Sequence, residues 1–227
     1  MGSFKSIWNG LDWSVLSDML LRVIPALLCI TIHELCHGLT AYRLGDDTAK
    51  RAGRLTLNPL KHIDVMGLIM MVLFRFGWAK PVPVNMNRLR NPKRDMAFVA
   101  LAGPLSNLLM AVLALFLYGA LLIPLSGGGI GDIVLDLILT VASLSIALAI
   151  FNIIPVPPLD GSKILFSLLP ENAYRFVLRY ERYGMILLLI LVATNLLGRP
   201  LGAATSWVFS KFWCFAKWGF LLADKVI

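Results

Sequence analysis

The chain has 227 residues, 58% of them hydrophobic and only 15% charged, with a mean hydropathy of +0.78. Soluble domains are nearer half apolar and a quarter charged, so this composition excludes an ordinary soluble globular protein and predicts one embedded in a membrane. The net charge of +8 does not point to nucleic acid, because the basic residues interrupt apolar segments and form no patch interleaved with aromatics.

Met1–Asp18 sets Trp8 and Trp13 among polar residues, the pattern of a segment lying at a membrane interface. Lys5 is the one basic residue before Asp12, so no cleavable signal is expected. The first long helix is expected from Met19 to about Tyr42, with Pro25 able to kink it and Gly45 suited to end it. Asp46–Val65 is short, polar and basic, and within it Gly53–Pro59 alternates polar and apolar residues, which predicts a short strand. Val65–Phe74 is an apolar run closed by Arg75. It has half the roughly 20 residues a span needs, so it is expected to enter the bilayer and return on the same side. Gly77–Asn85, stiffened by Pro81 and Pro83, predicts an extended hairpin.

Arg88, Arg90, Lys93 and Arg94 lead into a second long helix, Asp95 to about Leu125, which the glycine-rich turn Ser126–Asp132 follows. A third helix, about Ile133 to Ile154, breaks at Pro155-Val156-Pro157-Pro158 and delivers Leu159-Asp160-Gly161. Lys163–Leu169 reads as a short helix that Pro170 ends. Arg175, Arg179 and Arg182 precede a span at Tyr183–Leu197, Gly198-Arg199-Pro200 turns the chain, and Ala203–Ala223 forms a last span. The expected fold class is therefore an all-α polytopic membrane protein over residues 1–227. It comprises about five transmembrane helices, one re-entrant or half-span segment, and short β-strands near the cytoplasmic face. Eleven of the 21 Lys and Arg lie between Arg43 and Arg94, and none in Ser126–Asp132. The positive-inside rule then puts Arg43–Arg94 and the Arg175–Arg182 loop in the cytoplasm.

The chemistry concentrates in Thr31-Ile32-His33-Glu34-Leu35-Cys36-His37-Gly38. On a helix, residues four apart lie about 40° from each other around the axis, so His33 and His37 can face one metal ion. Glu34 lies one position round from His33 and can reach a water at that metal. This is the H-E-x-x-H arrangement of zinc hydrolases, with two nitrogen ligands and a carboxylate that serves as base. Three ionisable groups in an apolar helix need such a partner, since even one carboxylate at mid-bilayer costs about 2.5–3.5 kcal/mol.

Catalytic zinc takes three protein ligands. The candidates for the third are His62, Asp46, Asp47, Asp64 and Asp160. Asp46 and Asp47 stand too near the motif helix to fold back easily, while His62 would complete a three-histidine site. Asp160 is favoured, because the third helix can pack beside the first and the proline break then frees the chain close to the metal, where Gly161 permits close approach. Irregular backbone at this depth is tolerated where it lines a polar cavity. Asp160 capping the next helix is the competing reading. Cys29, Cys36 and Cys214 form no paired framework and read as small thiols packing between helices.

Taken with Asn152-Ile153-Ile154-Pro155-Val156-Pro157-Pro158-Leu159-Asp160-Gly161 and Gly77–Asn85, the motif resembles the site-2 protease family of intramembrane metalloproteases in its compact bacterial form. The resemblance covers about Pro25–Leu168. It implies one zinc ion per chain on His33, His37 and Asp160, with Glu34 activating water, and it maps Asn152 close to the site. Gly103-Pro104-Leu105-Ser106-Asn107 matches the family's Gly-Pro-x-x-Asn. Gly103 and Pro104 are then expected to open the helix locally. Asn107 is expected to bond the main chain of an extended substrate or to join two helices.

The same likeness implies a catalytic core at 19–169 and a helical extension at 170–227. A multi-pass protein of the bacterial cell membrane is expected, in contact with lipid and with transmembrane segments of other proteins as substrates, and the distribution of Lys and Arg puts its site towards the cytoplasm. No PDZ-like insertion and no nucleotide-sensing domain is expected. An unwound substrate would add to an edge strand, for which Gly53–Pro59 and Gly77–Asn85 are candidates. The competing expectation is a metal-binding membrane transporter using His33 and His37 as a transit site. It lacks the second motif copy that inverted repeats would supply.

Overall fold

The computed structural model describes residues 13–67, 79–170, 173 and 183–225. Its main elements are α1 (Trp13–Arg43), α2 (Pro92–Leu125), α3 (Ile130–Ile153), α4 (Asp160–Leu168), α5 (Gly184–Ala193) and α6 (Gly198–Asp224). Stretches of three helices, Val23–Arg43, Pro92–Leu125 and Ile130–Ile153, are long and apolar enough to cross a membrane, and α5 with α6 makes a fourth if that bent pair is one span. The protein is an integral membrane protein, and its described residues are mostly helical.

The expected five spans reduce to three or four among the described residues. Tyr183–Leu197 does not form a span of its own. The ten residues of α5 rise about 15 Å, half the ~30 Å hydrocarbon core. The chain turns at 194–197, where Asn195 takes a positive φ of 55°, and α6 leaves at 85° to α5. Gly198-Arg199-Pro200 is not that turn but the first turn of α6, where a proline costs no hydrogen bond.

No strand occurs among the described residues, so Gly53–Pro59 is corrected to bends leading into a single 3-10 turn, Pro59–Lys61. The polar residues of the alternation bond locally. The hydroxyl of Thr56 accepts from the Asn58 N–H at 3.1 Å, and Asn58 Oδ1 accepts from the Leu60 N–H at 3.0 Å. Such side-chain turns compete with strand pairing. Residues 80–85 lie in no helix or turn, with Asn85 extended and Lys80 and Val82 biased to extended backbone by the prolines after them, and one antiparallel bridge pairs Ala79 with Ile63. Most of the expected re-entrant run, the start of the hairpin, the Arg175–Arg182 loop and residues 1–12 lie outside the described residues.

α2 is the central element, touching α1, α3, α4 and α6. It starts on Asn91, whose N–H is taken at 2.8 Å by the buried carboxylate of Asp95. Side by side, α2 and α6 approach so closely that glycine is required at two crossings. A Cβ on Gly119 would stand 2.7 Å from the carbonyl carbon of Ala216, and one on Gly219 would stand 2.9 Å from the Ala120 nitrogen. Small residues at such crossings are the usual means of packing helices in lipid, where burial of apolar area gives no drive. Around them Ala114, Leu115, Ala142 and Ala216 form a buried cluster flanked by Phe209, Phe212 and Trp213.

Segment 79–85 is anchored along its length. The Lys80 N–H donates to the His62 carbonyl at 2.9 Å, and Arg54 Nη2 donates to the Lys80 carbonyl at 2.7 Å. The fully buried Asp46 takes the Asn85 N–H at 2.6 Å. Next to it, Asp47 pairs with Arg51 and Arg88; burial raises its carboxyl, but the two guanidiniums outweigh it and hold the pKa below the usual carboxylate value.

Candidate metal centre

His33 and His37 stand one turn apart on α1, both buried. Across from them α4 begins at Asp160. Gly161 makes that placement possible, because a Cβ there would lie 2.6 Å from the Ile154 carbonyl oxygen. Its missing side chain therefore lets α4 fold back against the end of α3, not against a metal.

Three ligand atoms converge. Asp160 Oδ2 lies 3.1 Å from His33 Nε2 and 3.0 Å from His37 Nε2, and the two Nε2 atoms are 3.0 Å apart. A tetrahedral zinc with ligand distances of about 2.1 Å has edges of roughly 3.4 Å, so this triangle is slightly tight but close to one face of that tetrahedron. Two imidazoles and one carboxylate are a donor set of catalytic zinc, with the fourth position left open. Among the described residues this is the group of His, Cys, Asp and Glu side chains whose ligand atoms meet.

The outer nitrogens test the fit. An imidazole that ligates through Nε2 carries its proton on Nδ1 and needs an acceptor there. For His37 that acceptor is the Val99 carbonyl of α2, 2.7 Å from Nδ1. For His33 the neighbour is Asn107, wholly buried, whose Nδ2 lies 3.2 Å from Nδ1 and whose Oδ1 has no hydrogen-bond partner. The donor set fits zinc: His37 has its acceptor in place, and beside His33 stands a side-chain amide whose carbonyl end is unpartnered.

Gly103 explains how α2 comes near enough. A Cβ at that position would lie 2.5 Å from His37 Cε1 and 2.6 Å from His33 Cε1, so both rings lean on a bare patch of helix. α2 nevertheless runs unbroken through Pro104. The expected local opening reduces to the one missing N–H that proline brings.

Glu34 is half-buried, and its Oε2 accepts the Val82 N–H at 2.8 Å. Proline on each side leaves Val82 as the one N–H donor within 81–83. Gly38 lets the segment sit this low: a Cβ there would be 2.5 Å from Leu55 Cδ2 and 3.1 Å from Val82 Cγ1. Neither the Val82 amide nor the Val99 carbonyl was legible as a motif, since both are backbone groups. The Pro-x-Pro that isolates one donor was the signal available for the first.

His62 is not among the ligand atoms that meet, and both it and Asn152 bond to backbone carbonyls. His62 is 2% exposed and donates from Nε2 to the Thr56 carbonyl at 3.0 Å. Asn152 donates to Leu148 of its own helix at 2.9 Å.

Comparison with known proteins agrees with this arrangement. Residues 130–197 match peptidase family M50. The chain is 39% identical to "Putative zinc metalloprotease YwhC" of Bacillus subtilis (strain 168), over 85% of this chain and 86% of that one. It is 30% identical to "Putative zinc metalloprotease Rip2" of Mycolicibacterium smegmatis, over 81% of this chain and 70% of that one. The Rip2 protein of Mycobacterium tuberculosis (strain H37Rv) is 28% identical over the same shares. No solved structure matches. A membrane-embedded H-E-x-x-H helix, a distant aspartate brought to it, and relatives aligned along most of both chains lead to one conclusion: the chain belongs to peptidase family M50, the site-2 proteases.

Proposed function

We propose that this chain is a zinc metalloendopeptidase that hydrolyses peptide bonds in or near transmembrane segments of other membrane proteins, with His33, His37 and Asp160 as metal ligands and Glu34 as base. The observation that carries this reading is the triangle of His33 Nε2, His37 Nε2 and Asp160 Oδ2, with edges of 3.0–3.1 Å. Held by these three residues, zinc would supply Lewis acidity, polarising a carbonyl and bringing the pKa of water towards neutral. Glu34 moves the water proton. Its Oε2 is held by Val82, which leaves Oε1 to take a proton from water and return it to the leaving amine.

Segment 79–85 is the surface we assign to the unwound substrate. The carbonyl of Val82 and both backbone groups of Val84 carry no hydrogen bond among the described residues, next to the amide that meets Glu34. Those groups suit β-addition of a strand. The clustering of Lys and Arg between Arg43 and Arg94 supports a site facing the cytoplasm of a bacterial cell, and the relatives are bacterial. One membrane domain, 1–227, with lipid around it and a catalytic core at 19–169, is the organisation we assign.

The test is cleavage of a membrane-embedded substrate by Glu34→Gln. It should bind one zinc as the wild type does and cleave roughly 10²–10⁴-fold more slowly, the range of general-base catalysis. Cleavage at the wild-type rate ends this reading. A metal transporter is not favoured, since the relatives carry the name "Putative zinc metalloprotease".

A further inference from the structure

We propose that Asn107 is a positioning residue for the metal centre: its carbonyl oxygen accepts the Nδ1 proton of His33 and so holds that ring in the one tautomer that can ligate through Nε2. This role rests on the metal-site reading above and differs from contact with substrate.

The argument begins with a mismatch. Asn107 Nδ2 faces His33 Nδ1 at 3.2 Å while Oδ1 has no partner, in a side chain with no exposure at all. An amide nitrogen is a donor only, so this arrangement asks Nδ1 of His33 to be an acceptor and places the ring proton on Nε2. Nε2 is the atom that points at His37 Nε2 and Asp160 Oδ2. A proton there and a metal there exclude each other. The neighbouring histidine shows the compatible pattern, with a carbonyl as acceptor on Nδ1.

A half-turn of the Asn107 amide exchanges its two ends and removes the conflict. Oδ1 then faces Nδ1, and Nδ2 takes the place that Oδ1 holds. One end of the amide is unpartnered in either orientation, so what separates the two is the tautomer of His33. The carbonyl of Asn107 thus does for His33 what the backbone of Val99 does for His37. Both acceptors lie on α2, eight residues apart, with Gly103 midway giving the rings room. This makes α2 the element that sets both imidazoles.

Zinc affinity of the full chain in detergent, measured by competition with a chelator, decides the matter through three variants. Asn107→Ala removes the acceptor and should weaken zinc about 10–100-fold. Asn107→Asp keeps an acceptor and should stay within about threefold of wild type. A substrate-binding Asn107 requires instead that Asn107→Ala bind zinc as wild type does, which overturns the proposal, as does Asn107→Asp losing as much as Asn107→Ala. If the alanine variant fails to fold, the zinc-loaded wild type still answers: the His33 Nδ1 proton should exchange slowly with solvent in ¹⁵N-histidine spectra, and fast exchange overturns the proposal. His33→Ala is the control for the underlying reading. Wild type and His33→Ala binding zinc equally would remove the metal site itself, whatever Asn107 does.

Discussion

The carboxylate of Glu34 and the backbone amide of Val82, 48 residues apart in sequence, are joined by a hydrogen bond of 2.8 Å. One oxygen of the base is thereby fixed from outside the metal triangle. Val82→Pro deletes that donor, and with prolines already at 81 and 83 the segment stays extended. A hydrogen bond to a charged group contributes about 1.5–3 kcal/mol. We expect kcat to fall roughly 10–100-fold while zinc content stays at the wild-type level. Steady-state cleavage beside metal analysis measures both, and an unchanged kcat removes Val82 from the machinery.

Gly103 makes a separate claim, about room. An alanine there would meet His37 Cε1 at 2.5 Å and His33 Cε1 at 2.6 Å, closer than carbon atoms approach. In a helix interior Gly→Ala is otherwise favourable by about 0.8–1 kcal/mol. Both rings are buried, so the overlap outweighs that gain, and Gly103→Ala is expected to lower the melting temperature and to weaken zinc about 10–100-fold, as misplaced ligands do. Zinc titration and melting of the same sample separate the two effects. Unaltered zinc affinity would mean that the rings have space the geometry does not give them.

How far the sequence led differs from one element to the next. His33, Glu34 and His37 were legible because helical periodicity alone puts them on one face. Asp160 was legible through the proline break, although its helix starts at the aspartate itself and Gly161 packs on the end of α3 rather than beside a metal. The strand at Gly53–Pro59 was misread because alternation in so short a stretch does not show that Thr56 and Asn58 will bond to their own backbone. Tyr183–Leu197 looked like a span by composition, and only the bend at 194–197 shortens it. Val82 and Val99 escaped for another reason. They act through the backbone, which any residue carries.

The third ligand can be settled by a paired substitution. Asp160→Ala removes a vertex of the triangle and should reduce zinc affinity by more than the 10–100-fold typical of lost outer partners. His62→Ala leaves the triangle whole and should bind one zinc normally. Because His62 is 2% exposed and its ring donates to the Thr56 carbonyl, the cost should appear as a lower melting temperature. The reverse pattern, with zinc lost on His62→Ala and kept on Asp160→Ala, would exchange their roles.

Gly219 tests whether α6 is needed where it stands. Its Cβ-free face rests on α2, and a methyl group there would lie 2.9 Å from the Ala120 nitrogen and 3.0 Å from the Phe116 carbonyl carbon. Backbone atoms in the middle of α2 cannot move aside as a side-chain tip can, so α6 itself must shift. Gly202, on the same helix, has nothing within 4 Å of its would-be Cβ. Both changes gain the same helix propensity, about 0.8–1 kcal/mol in a helix interior. Gly202→Ala should therefore melt at or above the wild-type temperature and Gly219→Ala several degrees below it, the difference being the α2–α6 contact. Since α2 also carries Val99, Gly103 and Asn107, a displaced α6 bears on the site through that shared helix. Zinc affinity in Gly219→Ala should then fall with stability, whereas equal melting of the two variants would show that α6 rests on α2 without steadying it.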